Sequence, residues 1–416
     1  MGSPERLDFA ARFRLERRVG RGAFGEVFRA VDGATGELVA VKRLLESHDE
    51  TAGDRFDREA RILAEVESPH VVRFVAYGRD ADGRRCLALE WLDGDDLARR
   101  QRRAPLSVAA AVDVARQAAL GLAALHARGV VHRDVKPSNF FVTDAPSPAL
   151  KLLDLGIARV RAEDGLTREG TQIGTPSYMS PEQARGDEDV GPASDLFSLG
   201  VLLYELLTRT KPFAGDRSLV VLAKIVLHEP PPLDRVAPSL PGSLVAIVRR
   251  AMEKSPERRF ASAEHMAEAL ASLDGLDARP PAVAPAPPAE AGTQRLSTRS
   301  AHVSATRERR VVTAVFAGFA DAPDPETAIA HFRDMAERLG GVAHRTLGFR
   351  AIAVFGESRT RGDEALRAAR LARAAATELE GVELSIATGR ALSDDRGLSA
   401  DAIERGAGAR PPPGAV

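Results

Sequence analysis

The sequence predicts an α+β protein made of two folded regions joined by a linker with no structure of its own. Three observations carry that expectation. Residues 12–275 interleave period-two and period-3.6 apolar patterns densely, residues 279–306 abandon both, and both resume over residues 307–416. At 416 residues the chain exceeds one ordinary core, in keeping with two domains. A hydrophobic content of 44% with 28% charged residues is that of a soluble globular protein, and a net charge of -1 argues against a general nucleic-acid binder. The single cysteine, Cys86, excludes an intramolecular disulfide framework and suits a reducing compartment. It lies in the apolar run CLALEW, as a buried strand residue would. No run approaches the roughly eighteen consecutive apolar residues of a membrane span, and the N-terminus lacks the apolar core of a signal peptide. A cytoplasmic protein with neither nucleic acid nor membrane as partner is expected.

The first elements come from FRLERRVGRGAFGEVFRAVDGATGELVAVKRL. Gly20-Arg21-Gly22-Ala23-Phe24-Gly25 is a GxGxxG, which taken alone would also suit a dinucleotide fold in which the third glycine opens a helix. Here alternating EVFRAVD follows, then a glycine turn and the alternating ELVAVKRL. That order is strand, turn, strand, turn, strand, and the dinucleotide reading loses. A glycine turn between antiparallel strands can lay its backbone over phosphates, and Lys42 on the third strand can point a compact positive charge at them. The next segment, DRFDREARILAEVES, has helical spacing, with Glu59 the acid best placed to hold that lysine and Glu65 and Glu67 on the solvated face.

In GVVHRDVKPSNFFV, five functional side chains crowd a turn between apolar runs. Asp134 can accept a proton from an incoming hydroxyl, Lys136 can neutralise a phosphoryl group, and Asn139 can bind a metal ion through its amide oxygen. ALKLLDLGIAR sets Asp154 after a strand and before a glycine, a good position for gripping Mg²⁺. Phosphoryl transfer needs mainly positioning and charge neutralisation, and these groups supply both.

The ordered set GRGAFGEV, VAVK, a helix acid, HRDVKPSN, DLG, GTPSYMSPEQARG, SDLFSLG and an arginine in ERRF resembles the eukaryotic-type Ser/Thr protein kinases also found in bacteria. The resemblance implies a bilobal kinase fold over residues 12–275, with an N-lobe of about 12–90 and a C-lobe of about 93–275. It implies ATP and Mg²⁺ as cofactors and protein Ser/Thr side chains as substrates. By the resemblance Asp134 is the catalytic base assisted by Lys136, Asn139 and Asp154 hold metal, and Lys42 pairs with Glu59 and the α/β-phosphates. The nucleotide further meets Gly20, Arg21, Gly22, Ala23, Phe24, Gly25, Val27, Ala40 and the hinge Leu89, Glu90 and Leu92. Trp91, in that hinge, reads either as core or as a ligand contact. His132 and Asp195 read as braces of the catalytic loop, and Glu182 and Arg259 resemble a buried ion pair. Leu155 and Ser180 depart from the family's usual Phe and Ala without removing a charge. Arg133 implies an activating anion on the following segment, for which Thr167 and Thr171 are the candidates. A pseudokinase scaffold that binds ATP without turnover is the rival reading.

The stretch RPPAVAPAPPAEAGTQRLSTRSAHVSAT, residues 279–306, cannot bury enough apolar surface to order itself and reads as a linker. Beyond it the order strand, helix, hairpin, helix, strand predicts an α/β domain with a mostly antiparallel sheet. ERRVVTAVFAGF, RTLGFRAIAVFG and LSIATG resemble the class III nucleotide cyclase homology domain, a ferredoxin-like fold. The resemblance places two metal-binding aspartates where this chain has Gly318 and Phe349, with Glu404 and Gly408 where a catalytic Asn and Arg would stand. A cyclase-like domain without cyclase activity is therefore expected, shorter than the family's pattern at Val416. Dimerisation (hence a possible homodimer), ligand sensing, docking to the kinase and a remnant without a role all stay open for it.

Overall fold

The computed structural model describes residues 7–21, 25–45, 50–144, 149–154, 176–215, 218–281, 308–346, 349–356, 363–394 and 397–400. The alternating runs at the start form β1 (Leu7–Asp8), β2 (Phe13–Arg21), β3 (Gly25–Asp32) and β4 (Leu38–Leu44), with helix α1 (Phe9–Arg12) between the first two. Helix α2 (Glu50–Glu65), β5 (Phe74–Arg79) and β6 (Arg85–Glu90) follow. The sheet order is β1-β5-β6-β4-β3-β2, antiparallel except for the β1–β5 pair. Alternation gives the sheet two faces. On one, Ala30, Val39, Val41, Ala76, Cys86 and Ala88 bury against Phe9 and Phe13, whose rings lie 4.4 Å apart. Burial pushes the Cys86 thiol up to about 12, so it packs as a hydrophobe. The other face is left for the side chains of Val27, Ala40, Lys42 and Leu89.

Helices then dominate. Strand β7 (Gly94–Asp96) leads into α3 (Leu97–Arg103), where Asp96 accepts from the Arg99 N–H as N-cap. Ser107 does the same for Ala110 at the start of α4 (Val108–His126). By length and composition α4 could cross a membrane, yet it is mostly buried within the fold. Asp113 and Arg116 interrupt its apolar run, which is why an unbroken-run criterion passes over it. Strands β8 (Phe140–Thr143) and β9 (Leu150–Leu152) complete a small sheet ordered β7-β8-β9. Helices α5 (Pro181–Arg185), α6 (Pro192–Thr208), α7 (Ser218–Leu227), α8 (Leu233–Val236), α9 (Gly242–Ala251) and α10 (Ala263–Ala271) come next. Helix α10 packs on α4, burying Met266 and Leu270. Ser180 and Gln183 form a reciprocal capping box at α5, which explains the serine at this position: its hydroxyl accepts from the Gln183 N–H, and Gln183 accepts from its own.

The last part runs β10 (Glu308–Gly318), α11 (Pro325–Arg338), β11 (Val342–Thr346), β12 (Arg350–Phe355), α12 (Glu364–Glu378), β13 (Glu383–Asp394) and β14 (Gly397–Ala400). The predicted order of strand, helix, hairpin, helix and strand is observed, with β14 added. The sheet order β11-β12-β10-β13-β14, antiparallel at every pair, is the connectivity of a split βαβ unit with one extra strand. Helices α11 and α12 cover one face, burying Phe319, Phe332, Phe355 and Leu371. Arg367 of α12 is buried beside the Phe355 ring and donates to the Leu339 and Gly340 carbonyls, closing the C-terminus of α11.

The chain divides into two compact units, one of Met1–Ala162, Gly191–Leu207 and Ala246–Pro280, the other of Glu163–Val190, Thr208–Val245 and Pro281–Val416. The second unit therefore contains α5 and α7 together with the C-terminal sheet. Within it Val220 and Ala223 of α7, with Leu227 alongside, pack on Val312, Ala314, Phe316, Ile352 and Val354, the sheet face opposite α11 and α12.

Candidate active site

Strand register gathers the first group of side chains. Lys42 stands opposite Val27 on β3 and Leu87 on β6, Ala40 stands opposite Leu89, and Gly20 stands opposite Val27. Directly opposed residues share a face, so Gly20, Val27, Ala40, Lys42 and Leu89 lie on the side away from Phe9 and Phe13. Gly25 is required by packing as well: a Cβ there would lie 2.6 Å from the Arg43 carbonyl oxygen. Arg21 is exposed at the end of β2. Gly22, Ala23 and Phe24 lie outside the described residues.

Three elements converge on Lys42. Its Nζ is 2.8 Å from Asp154 Oδ1, just beyond β9, and 3.5 Å from Glu59 Oε1 on α2. Burial alone would lower the Lys42 pKa, but Asp154 and Glu59 outweigh it and hold the amine above its ordinary range. In turn the Lys42 ammonium holds Asp154 below the usual carboxylate range, against the cost of burial. Both groups are thus charged at neutral pH. Glu65 and Glu67 are exposed, as expected.

The second group sits on the turn between α4 and β8. Asp134 Oδ2 accepts from Lys136 Nζ at 2.7 Å and from Asn139 Nδ2 at 3.2 Å, and Asn139 Nδ2 also donates to the Asp134 carbonyl at 2.8 Å. With its amide nitrogen committed to Asp134, Asn139 presents Oδ1 as the end that could bind a cation. The Leu153 N–H donates to the Asn139 carbonyl at 2.9 Å, which ties this turn to the residue before Asp154. One amide oxygen and one carboxylate are hard ligands of the kind Mg²⁺ takes alongside water and phosphate, so the donor set fits.

The turn is braced from beneath. Asp195 of α6, fully buried, accepts from the His132 and Arg133 N–H groups, each at 2.8 Å, and its Oδ2 lies 2.8 Å from His126 Nε2. Arg133 takes a φ of 62°, a strained angle for a side-chain-bearing residue that those bonds hold in place. His132 Nδ1 accepts from the Asp134 N–H at 3.1 Å, and burial keeps this imidazole's pKa below its ordinary value. His132 and Asp195 are braces, as the sequence suggested. The sequence reading missed His126, which only the fold brings to Asp195.

The hinge behaves differently from its motif. Glu90 accepts from Lys151 Nζ at 2.6 Å and from the Arg73 N–H at 2.9 Å. Its side chain is thereby occupied, and its backbone is the part left to meet a base. Trp91 is half-buried and not part of the core: its indole N–H donates to Asp93 at 2.9 Å, and Arg29 lies 5.8 Å from the ring centroid. Leu92 is partly exposed beside it. Glu182 and Arg259 are both buried. Leu155, Thr167 and Thr171 lie outside the described residues.

The protein kinase domain model matches residues 13–270. This chain belongs to the protein kinase family, in its serine/threonine class. Kinases of this family use ATP and a divalent metal, typically Mg²⁺. The chain is similar to serine/threonine-protein kinase pkn2 of Myxococcus xanthus, 38% identical over 343 residues that cover 78% of this chain and 41% of that one. It is 37% identical over 289 residues to serine/threonine-protein kinase PknA of Mycobacterium tuberculosis, covering 68% of this chain and 65% of the relative. It is 39% identical over 294 residues to serine/threonine-protein kinases drp72 of Corynebacterium efficiens, covering 67% and 55%. The chain thus spans between 41% and 65% of the length of these curated relatives.

The C-terminal positions tell a separate story. Gly318 ends β10 opposite Arg350 and Glu383, and a Cβ added there would lie 3.8 Å from a Glu383 carboxylate oxygen. Phe349 sits at the hairpin tip with a φ of 51°, its carbonyl accepting from the Phe319 N–H at 2.8 Å and its side chain packed on the core beneath α11 and α12. Glu404 and Gly408 lie outside the described residues.

Proposed function

We propose that this chain transfers the γ-phosphoryl group of ATP to serine or threonine hydroxyls of protein substrates. The single observation that supports this most is the charged group Lys42–Asp154–Glu59 held beside Asp134–Lys136–Asn139. In the proposed reaction the substrate hydroxyl oxygen bonds to the γ-phosphorus while the bond to the β–γ bridging oxygen breaks. Asp134 takes the hydroxyl proton, and ADP leaves with the bond's electrons. Lys136 offsets charge on the moving phosphoryl group, and Lys42, oriented by Glu59, holds the α- and β-phosphates. Asn139 and Asp154 would hold Mg²⁺, which when bound neutralises phosphate charge. The glycine turn from Gly20 to Gly25 covers the phosphates, and Val27, Ala40 and the Leu89–Leu92 backbone enclose adenine.

Labelled ATP, given to wild type and Asp134→Asn, tests the assignment. Removing the base should cost about 10²–10⁴-fold in transfer with nucleotide binding retained. Equal labelling of both proteins would overturn it and favour the scaffold reading. Within the same proposal, Thr167 or Thr171 is autophosphorylated in trans, and the phosphate offsets the charge of Arg133. Full activity of Thr167→Ala/Thr171→Ala without phosphate on that segment would refute this.

The C-terminal domain is proposed as a cyclase-like frame without the chemistry, its role regulatory. The split βαβ order supports the frame, and Gly318 and Phe349 at the two aspartate positions support the loss. A cytosolic setting goes with this proposal, since a lone cysteine suits a reducing compartment.

A further inference from the structure

We propose that the outer face of the C-terminal sheet is a docking surface for helix α7 of the same chain, and that this dock covers a protein-binding surface of the kinase. The covering role rests on the kinase reading above; the dock itself does not.

Helix α7, SLVVLAKIVL, is apolar nearly all round, a composition that demands partners on more than one side. Val221, Leu222 and Ile225 are buried, and Val220, Ala223 and Leu227 form a separate stripe at i, i+3 and i+7. That stripe meets Val312, Ala314 and Phe316 of β10 and Ile352 and Val354 of β12. An antiparallel sheet with helices on one side commonly turns a polar face to water. Here both faces are apolar, because alternate residues of β10 and β12 supply one core under α11 and α12 and another under α7. Helix α5 contacts both α7 and the edge strand β11, so the same surface reaches the end of the segment that carries the candidate phosphosites.

The occupant is this chain's own helix. The sheet and the kinase belong to one chain, joined through the residues between Ala271 and Glu308, and a covalent connection of this kind supplies an effective concentration on the order of millimolar. A second copy in solution would have to exceed that. While docked, the stripe on α7 is closed to any other protein. Once released, it is an apolar surface beside α5 that a protein substrate could use.

The test uses the full chain carrying Leu227→Cys at the partly exposed end of the α7 stripe and Val342→Cys on β11, exposed and opposite Val354 on the same sheet face, treated with a short bis-maleimide. Cys86 is buried with its thiol pKa pushed up to about 12, so it stays silent. The expected product is an intrachain link, seen as a monomer of altered mobility on a denaturing gel and unchanged by tenfold dilution. A dimer band, or no link, would overturn the dock. As a check independent of the cysteines, Ala223→Glu should speed hydrogen exchange in β10 and β12 as well as in α7. Exchange altered in α7 alone would count against it. For the covering role, the linked protein should phosphorylate dephosphorylated casein about fivefold or more slowly than the unlinked one, the low end of ordinary coupling between sites. An unchanged rate would remove that role. The gel is read whether or not the chain phosphorylates anything, so failure of the dock and failure of the kinase reading are separate results.

Discussion

Lys42 and Asp154 show what a single residue contributes. Lys42 is mostly buried and Asp154 half-exposed, and each holds the other charged. Lys42→Met should therefore leave Glu59 and Asp154 without their cation, weakening nucleotide binding and lowering stability together, measurable by ATP titration and denaturant midpoint on one sample. Histidines act in the opposite sense. His132 and His70 have pKa values below the ordinary 6.5 because burial disfavours their charged forms. The unfolded chain takes up these protons first, so the stability they contribute is complete above pH 6.5 and declines as the pH falls below it. Denaturant midpoints should drop between pH 7.5 and 5.5, with a shallower drop in His132→Asn; a flat profile would contradict this. Phe349 packs from the hairpin tip onto the core beneath α11 and α12. Phe349→Asp should cost about 1–2 kcal/mol, part of the usual penalty for truncating a buried Phe, read as a lower melting temperature of the C-terminal domain.

At the scale of elements, most of the pattern was legible. Strands β2 to β4 follow from alternation around a glycine turn, and α11 and α12 from helical spacing. The departure at Ser180 is explained by local geometry, since Ser–Pro–Glu–Gln closes a capping box that alanine could not. Ser180→Ala should cost about 0.5–2 kcal/mol, visible as a shift in melting temperature with little change in nucleotide affinity. The pairing of Glu90 with Lys151 was not legible, because the two residues lie on β6 and β9 and no local pattern links them. Helix α7 lies between these cases. Its sequence says that it needs two apolar partners and not which ones.

For the whole molecule, the compact units do not follow the linker. Segments 163–190 and 208–245 belong with the C-terminal sheet. A variant that weakens the core of that sheet should therefore loosen α7 too. Phe332→Ala, at a cost of about 3–5 kcal/mol, should raise hydrogen exchange in α7 and in β10 to β13 while leaving β2 to β6 unchanged. Protection of α7 unaffected by Phe332→Ala would refute the grouping. The sequence by itself determined the Ser/Thr protein kinase family of this chain, because a few charged groups stand in a set order along short motifs. It also determined the order of strands and helices at the start of the chain and beyond residue 307, because periodicity is local. Only the tertiary structure decided that His126 reaches Asp195, that Lys151 occupies Glu90, and that the second apolar face of the C-terminal sheet is filled by α7. Each of those joins residues far apart in sequence, and burial rewards any apolar partner of suitable shape, so periodicity could announce the need for a partner without naming it.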